Sequence, residues 1–173
     1  KVENPKKPDV FRRYPPYLGS GVENECSAFF ADQNWGKKSV LLDMKDPASV
    51  ETVRRLLRTA DVLVENFRPR VMDELGLGPE ALTARCERLV YCAVSGFGAD
   101  GPYAARPGFD QIAQGMSGFM SLTGTPESGP TRAGIAIGDV LGGMFAAHGI
   151  QLALFARERT GKGQIVQTSL LES

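Results

Sequence analysis

Between residues 107 and 156 the chain carries only four charged side chains, Asp110, Glu127, Arg132 and Asp139, together with ten glycines. Such a stretch is either core or the wall of a site where backbone comes close to a ligand. Asp139 follows Gly138 and opens an apolar helical pattern. One role for it is the helix N-cap. The other is nucleophile. A carboxylate has a reference pKa of about 3.9, so it is ionised at neutral pH and attacks a carbonyl without a general base. A helix N-terminus would also hold it anionic. Asp110, after Gly108-Phe109, sits in a similar place and invites the same cap reading.

Other motifs fare less well. Gly161-Lys162 is followed by Gly163 rather than Ser or Thr, so there is no P-loop, and no G-x-G-x-x-G follows a strand. Ser95 ends a strand pattern and leads into Gly96-Phe97-Gly98, but Ala93 and Phe97 replace the glycines of a nucleophile elbow. A hydrolase would need His148 as base, and His148 lies in an apolar stripe that reads as core. Glu65-Asn66-Phe67-Arg68-Pro69 leaves a strand and enters a helix. Asn and Arg donors there suit phosphates, and Phe67 could cover a flat ring. A turn with exposed polar side chains explains the same five residues. Lys37-Lys38 is either a solvated pair or a contact for an anion.

The elements that must position these residues follow a βα rhythm. Strands are predicted over 39–43, 61–65 and 89–94, and a further one over 165–169. Pro47 opens a helix with Asp46 as cap and Val50, Val53, Leu57 and Ala60 on its buried face. Short helices are predicted from Pro69 to Leu75, stopped by Gly76, and from Pro79 to Cys86. Residues 1–36, with prolines at 5, 8, 15 and 16, read as irregular. Leu141, Phe145, His148, Leu152 and Phe155 step by four, three, four and three along a helix that Met144, Ala147 and Leu154 flank. That helix is expected to be buried, with Arg157 and Arg159 facing its C-terminal dipole and Gly161 at C′. The pattern predicts an α/β fold with a parallel, Rossmann-like sheet and flanking helices.

Composition agrees with an ordinary globular chain. Twenty basic and twenty acidic residues cancel, and 42% of residues are apolar. Gly plus Pro is 31 of 173, below the share of low-complexity chains. A near-neutral chain offers no global field for nucleic acid. No apolar run approaches the roughly 18 residues of a membrane span, and no secretory segment opens the chain. Cys26, Cys86 and Cys92 form no C-x-x-C, and a single histidine argues against a zinc site. A reducing cytoplasm is the expected compartment. The chain opens at Lys1 without Met and closes on Leu170-Leu171-Glu172-Ser173, which reads as a helix start. Both ends are therefore expected to be cut.

Several strings together resemble the class III CoA-transferases, the formyl-CoA and carnitine CoA-transferase family. These are Ala60-Asp-Val-Leu-Val-Glu-Asn-Phe-Arg-Pro69, Ser95-Gly-Phe-Gly98 with Gly101-Pro-Tyr103, and Arg106-Pro-Gly-Phe-Asp-Gln-Ile-Ala-Gln114. Met116-Ser-Gly118, Ile137-Gly-Asp139 and Thr160-Gly-Lys-Gly-Gln164 add to them, in the family's order. The resemblance implies an acyl-CoA:carboxylate CoA-transferase with Asp139 as nucleophile, acting through an aspartyl anhydride and an aspartyl-CoA thioester. It implies no resident cofactor and no metal, with coenzyme A or acyl-CoA and a small carboxylic acid as substrates. It also implies a homodimer when the protein is full length. By position it assigns Leu42, Asp43, Met44 and Lys45 to the adenine and ribose end of CoA. Asn66, Phe67 and Arg68 fall on a second CoA segment, and Pro107, Gly108, Phe109 and Asp110 on a third near the thioester. Glu74 stands where some members carry a CoA-binding Arg. The chain then corresponds to part of the large domain, without its first strand, the small domain and the C-terminal return, and is expected to be inactive alone. A 2-methylacyl-CoA racemase is the rival, but such relatives place His where this chain has Phe109. A CoA-binding piece without turnover is a further reading.

Overall fold

The computed structural model describes residues 1–18 and 27–173, so Cys26 lies outside the described residues. Two compact units divide the chain, Lys1–Arg55 and Leu56–Ser173.

In the first unit, β1 (Val2–Glu3) pairs in parallel with β2 (Val40–Leu41), Val2 opposite Val40. The strand predicted over 39–43 is thus shorter and belongs to a two-stranded sheet of its own, apart from the three-stranded sheet of the second unit. Residues 1–36 are less irregular than expected. They hold a 3-10 turn at Val10–Arg13 and the helix α1 (Ala28–Asn34), capped by Ser27, whose Oγ accepts from the Phe30 amide at 3.2 Å. Seven residues are too few to reveal a helical period. Glu3 is buried and accepts from Arg12 through both oxygens, at 2.8 and 3.0 Å. The Arg12 guanidinium holds its carboxyl down to about 2 against the opposing effect of burial. Helix α2 (Pro47–Leu57) starts as predicted, with Asp46 accepting from the Ala48 amide at 3.1 Å, and it buries Val50, Val53 and Leu57.

The second unit is a three-stranded parallel sheet, with β4 (Val90–Ser95) between β3 (Val62–Glu65) and β5 (Ile165–Ser169). Val62 faces Val90 on one side, and Tyr91 faces Ile165 on the other. Leu89, Val90, Tyr91 and Cys92 are almost wholly buried, as their continuous apolar run requires of a central parallel strand. Helices α3 (Val71–Glu74) and α4 (Pro79–Thr83) follow β3 and are shorter than predicted. The long connection after β4 holds α5 (Asp110–Met116), α6 (Phe119–Thr123) and α7 (Ile137–Thr160), which packs on β4 and β5.

Helix α7 corrects one expectation outright. Its large apolar residues point outward: Met144 is 52% exposed, Phe145 50%, Leu152 70% and Phe155 61%, and His148 is exposed rather than core. The buried stripe is Gly138, Gly142, Ala146, Ala153 and Arg157. Small residues let the helix approach the sheet closely. A Cβ at Gly149 would lie 2.5 Å from Val166 Cγ1, and one at Gly142 would lie 3.0 Å from Leu170 Cδ2. Arg157 also departs from its expected dipole role. It is 7% exposed and donates to Asp61 Oδ1 and to the Arg88 carbonyl, both at 2.9 Å, which ties the entrances of β3 and β4 together. Gly161 does close the helix in the left-handed conformation, donating to the Arg157 carbonyl. Among the described helices, α7 is the one long and apolar enough to cross a membrane by length and composition, a pattern the sequence reading did not pick out. Its tight packing on β4 and β5 is that of a helix layered on a sheet.

These two faces separate experimentally. Gly149→Val should destabilise the chain by about 1–3 kcal/mol through overpacking against Val166, whereas Leu152→Ser should stay within about 0.5 kcal/mol. Urea unfolding of the two variants measures both, and the reverse order would contradict the assignment of the packed face.

Candidate functional site

Parallel pairing brings the carboxyl ends of the three strands to one edge, with Glu65 opposite Ala93 and Ser95 opposite Ser169. Asn66 and the Ser95–Gly98 turn leave from this edge, as the sequence predicts. Helix α7 begins there too, because a Cβ at Gly138 would lie 3.6 Å from the Leu170 carbonyl just beyond β5. Ligands of open parallel sheets bind at this edge.

A cavity of about 840 Å³ opens at the edge, lined by Glu65, Phe67, Arg68, Arg70, Tyr91 and Ser95 among others. Phe67 and Arg68 therefore stand where the sequence puts a ligand segment, while Asn66 is exposed and is not part of the lining. The Phe67 amide donates to Glu65 Oε2 at 2.8 Å, and the Tyr91 hydroxyl donates to Glu65 Oε1 at 3.4 Å. Burial pushes the Glu65 carboxyl up, and burial followed by the Glu65 charge pushes the Tyr91 phenol up. Ser95 Oγ accepts from the Gly98 amide at 3.0 Å and so closes a turn. His148 lies nine residues along α7 from Asp139, roughly 14 Å from the edge, which removes the base a Ser95 hydrolase would need.

The Pro107–Asp110 segment crosses this turn at very close range. A Cβ on Gly96 would lie 2.4 Å from Gly108 Cα, so two glycine backbones touch where any side chain would collide. The contact leads straight into Asp110, which is 8% exposed. Asp110 Oδ1 accepts from the Gly138 amide at 2.7 Å, and Oδ2 accepts from Gln114 Nε2 at 2.6 Å. Gln114 Oε1 in turn accepts from the Ala133 amide at 2.9 Å. Asp110 thus supplies the cap of α7 from another helix. Ala136, the residue at the N-cap position, provides no side-chain bond. Phe109 occupies the corresponding position ahead of α5 and is 66% exposed.

This corrects the cap reading of Asp139. Asp139 sits in the first turn of α7, past the cap, and among the described residues its carboxylate has no hydrogen-bond partner. Loss of solvent, and then the charge of Asp110, push its carboxyl above the usual range. Asp139 and Pro107–Asp110 lie at the sheet edge but outside the lining of the cavity. In the first unit, Leu42 to Lys45 leave β2. There Asp43 accepts from Lys6 Nζ at 3.0 Å and from the Lys45 amide at 3.1 Å, and Lys6 above all pulls its carboxyl down. Sequence reasoning missed Arg70, Tyr91 and Glu172 in the cavity wall. By pattern Arg70 reads as part of the Pro69–Leu75 helix, Glu172 as part of a helix start and Tyr91 as strand core, with no sign of a ligand at any of them.

Comparisons with known proteins show what the chain is similar to as a whole. A sequence model of CoA-transferase family III matches residues 1–173. The chain is 44% identical over 174 residues to a succinate–glutarate CoA-transferase of Agrobacterium fabrum, a match covering 99% of this chain and 44% of that protein. It is also 44% identical to an acetyl-CoA:oxalate CoA-transferase of Acetobacter aceti, over 99% of this chain and 43% of that one. Among solved structures, a CaiB/BaiF family protein from Brucella suis superposes with a TM-score of 0.90 at 42% identity, covering 99% of this chain and 45% of its own. The chain therefore spans less than half the length of these relatives.

The buried acid can be tested directly. Asp110→Ala leaves the Gly138 amide unsatisfied and should cost about 2–3 kcal/mol in urea unfolding. Asp110→Asn keeps an acceptor for Gly138 and should cost less. Both remove a negative charge, so both should lower the Asp139 pKa in a carboxyl NMR titration. A carboxyl whose folded pKa is raised binds protons more readily in the folded state, so its contribution to stability is lost as pH rises through that range. An unmoved Asp139 titration in Asp110→Asn would contradict the coupling.

Proposed function

Because the chain belongs to CoA-transferase family III, we propose that the protein is an acyl-CoA:carboxylate CoA-transferase with Asp139 as its nucleophile. The observation that carries this reading is an unpartnered carboxylate at the sheet edge, in the first turn of a helix whose amides are held by Asp110. Asp139 attacks the thioester carbonyl and expels CoA thiolate, leaving an aspartyl–acyl anhydride. The thiolate attacks the aspartyl carbonyl, releasing the first acid and forming aspartyl-CoA. The carboxylate of the acceptor acid attacks that thioester, thiolate leaves again, and a second anhydride forms. Thiolate attack on the acceptor acyl carbon gives the new acyl-CoA and restores Asp139. Acyl activation is conserved throughout, so no external energy source is needed.

In this reading Phe67 and Arg68 bind the nucleotide end of CoA with Asn66 beside them, and Leu42 to Lys45 serve adenine and ribose. Pro107, Gly108 and Phe109 keep their place on the thioester segment, and Asp110 changes role. Asp110 is buried against α7 amides, so it positions Asp139 rather than touching CoA. The acceptor is a small carboxylic acid, in line with the carboxylates named for the relatives. The span of 44% of a relative supports a partial large domain, whose first strand, small domain and C-terminal return lie outside this sequence. A homodimer fits the outward apolar face of α7, and a cytoplasmic location fits CoA chemistry. A racemase is disfavoured by Phe109, which offers no proton donor beside Asp110.

Two substitutions test the assignment in the intact protein. Asp139→Asn should retain the fold and CoA binding yet lose essentially all transfer, because an amide cannot form the anhydride. Hydroxylamine should mark Asp139 as a hydroxamate after incubation with acyl-CoA. An active Asn variant with no adduct on this peptide would refute the mechanism. Arg68→Ala should weaken CoA binding by about 1.5–3 kcal/mol, the worth of a charge-assisted hydrogen bond. Unchanged affinity at low salt would remove Arg68 from the CoA contacts.

A further inference from the structure

Arg70 is the single non-glycine residue among the described residues with a positive φ, at 76°. It sits between Pro69 and α3, and its carbonyl accepts from the Glu74 amide at 2.9 Å to close the turn. Glycine adopts this left-handed conformation freely, whereas a side chain crowds the following carbonyl. If the position served the turn alone, glycine would be the residue. Strain of this kind persists where the side chain has another use.

The side chain has an evident outlet. Arg70 is exposed, lines the 840 Å³ cavity, and its guanidinium has no polar partner among the described residues. Arg68, two positions earlier, is likewise exposed and unpaired in the same wall. Among the described residues they are the only cations in the lining, which also carries Glu65, Asp73, Asp100 and Glu172. The lining holds two cations and four carboxylates, so only the two arginines can meet the charge of a phosphate-bearing ligand. Glu74, at the position where the resemblance expects an arginine for CoA, is acidic and offers no cation.

We propose that Arg70 binds a phosphate group of coenzyme A alongside Arg68, supplying from a strained turn the cation that Glu74 does not. The proposal rests on the reading of this cavity as the CoA site. A guanidinium offers paired donors in a planar fork that fits phosphate, and its charge cannot be titrated away at working pH.

Calorimetric titration of the intact protein with CoA, at low salt, tests this with three variants. Arg70→Gly should weaken CoA binding at least tenfold while its melting temperature stays equal to or above wild type, since the strain is relieved. A purely structural arginine would give no such loss of affinity. Arg70→Lys and Arg70→Gln share the same backbone strain and differ in charge. The Gln variant should bind at least fivefold more weakly than the Lys variant, and the gap should narrow as salt screens the contact. A smaller gap between Gln and Lys overturns the proposal, even if the Gly variant fails to fold. So does a folded Arg70→Gly variant that binds CoA within twofold of wild type. If wild type itself shows no saturable binding of CoA, it is the reading of the cavity that fails.

Discussion

The site depends on how closely one helix can lie on the sheet. Helix α7 turns a stripe of glycine and alanine toward β4 and β5, and at Gly149 and Gly142 there is no room for a larger residue. That approach brings the first turn of α7 down to the Leu170 carbonyl and within reach of Asp110. A helix set one side-chain layer further out could not donate a 2.7 Å bond from its Gly138 amide to Asp110 Oδ1. The position of Asp139 is a consequence of that packing, as is the outward display of the helix's large apolar residues.

A buried aspartate beside an exposed one sets the electrostatics. Asp110 is buried, and its charge is compensated by the α7 amides and by Gln114. The amide dipoles that would otherwise favour a negative charge at the start of α7 are thus already engaged. Asp139 gains no hydrogen bond of its own and meets the field of a neighbouring carboxylate, so its proton affinity rises. A carboxylate that is less well stabilised as an anion is a more willing nucleophile toward a carbonyl. The same pairing explains why Asp110 is held by backbone from two directions, through Gly138 directly and through Gln114 to Ala133.

The cavity wall follows a different logic. Its floor, Glu65 with Tyr91, is a hydrogen-bonded pair pushed toward its neutral forms by burial. Its cations are confined to one short turn, Arg68 to Arg70, that leaves β3. The glycine-to-glycine crossing of Gly96 and Gly108 lets the two ends of the loop between β4 and α5 share this edge without a side chain between them. Two points of one connection therefore meet at one place, although twelve positions of sequence separate them.

Much of the architecture was legible in the residues themselves. Alternation of β-branched runs with capped helical segments determines parallel strands at 62–65, 90–95 and 165–169, and the Asp46-Pro47 start of α2, because these signals are local. Tertiary structure alone decided the rest. Periodicity shows that α7 has an apolar stripe, but not that its small residues face the sheet, since that depends on the distance between two packed layers. Capping rules assign Asp139 to its own helix, whereas the cap comes from Asp110, 28 residues away from Gly138 in sequence and 2.7 Å away in space. Arg157 looks like a partner for the helix dipole until folding brings Asp61, 96 residues earlier, to within 2.9 Å. And the left-handed backbone of Arg70 is written in no local preference, because the residue type opposes it and only the surrounding turn can impose it.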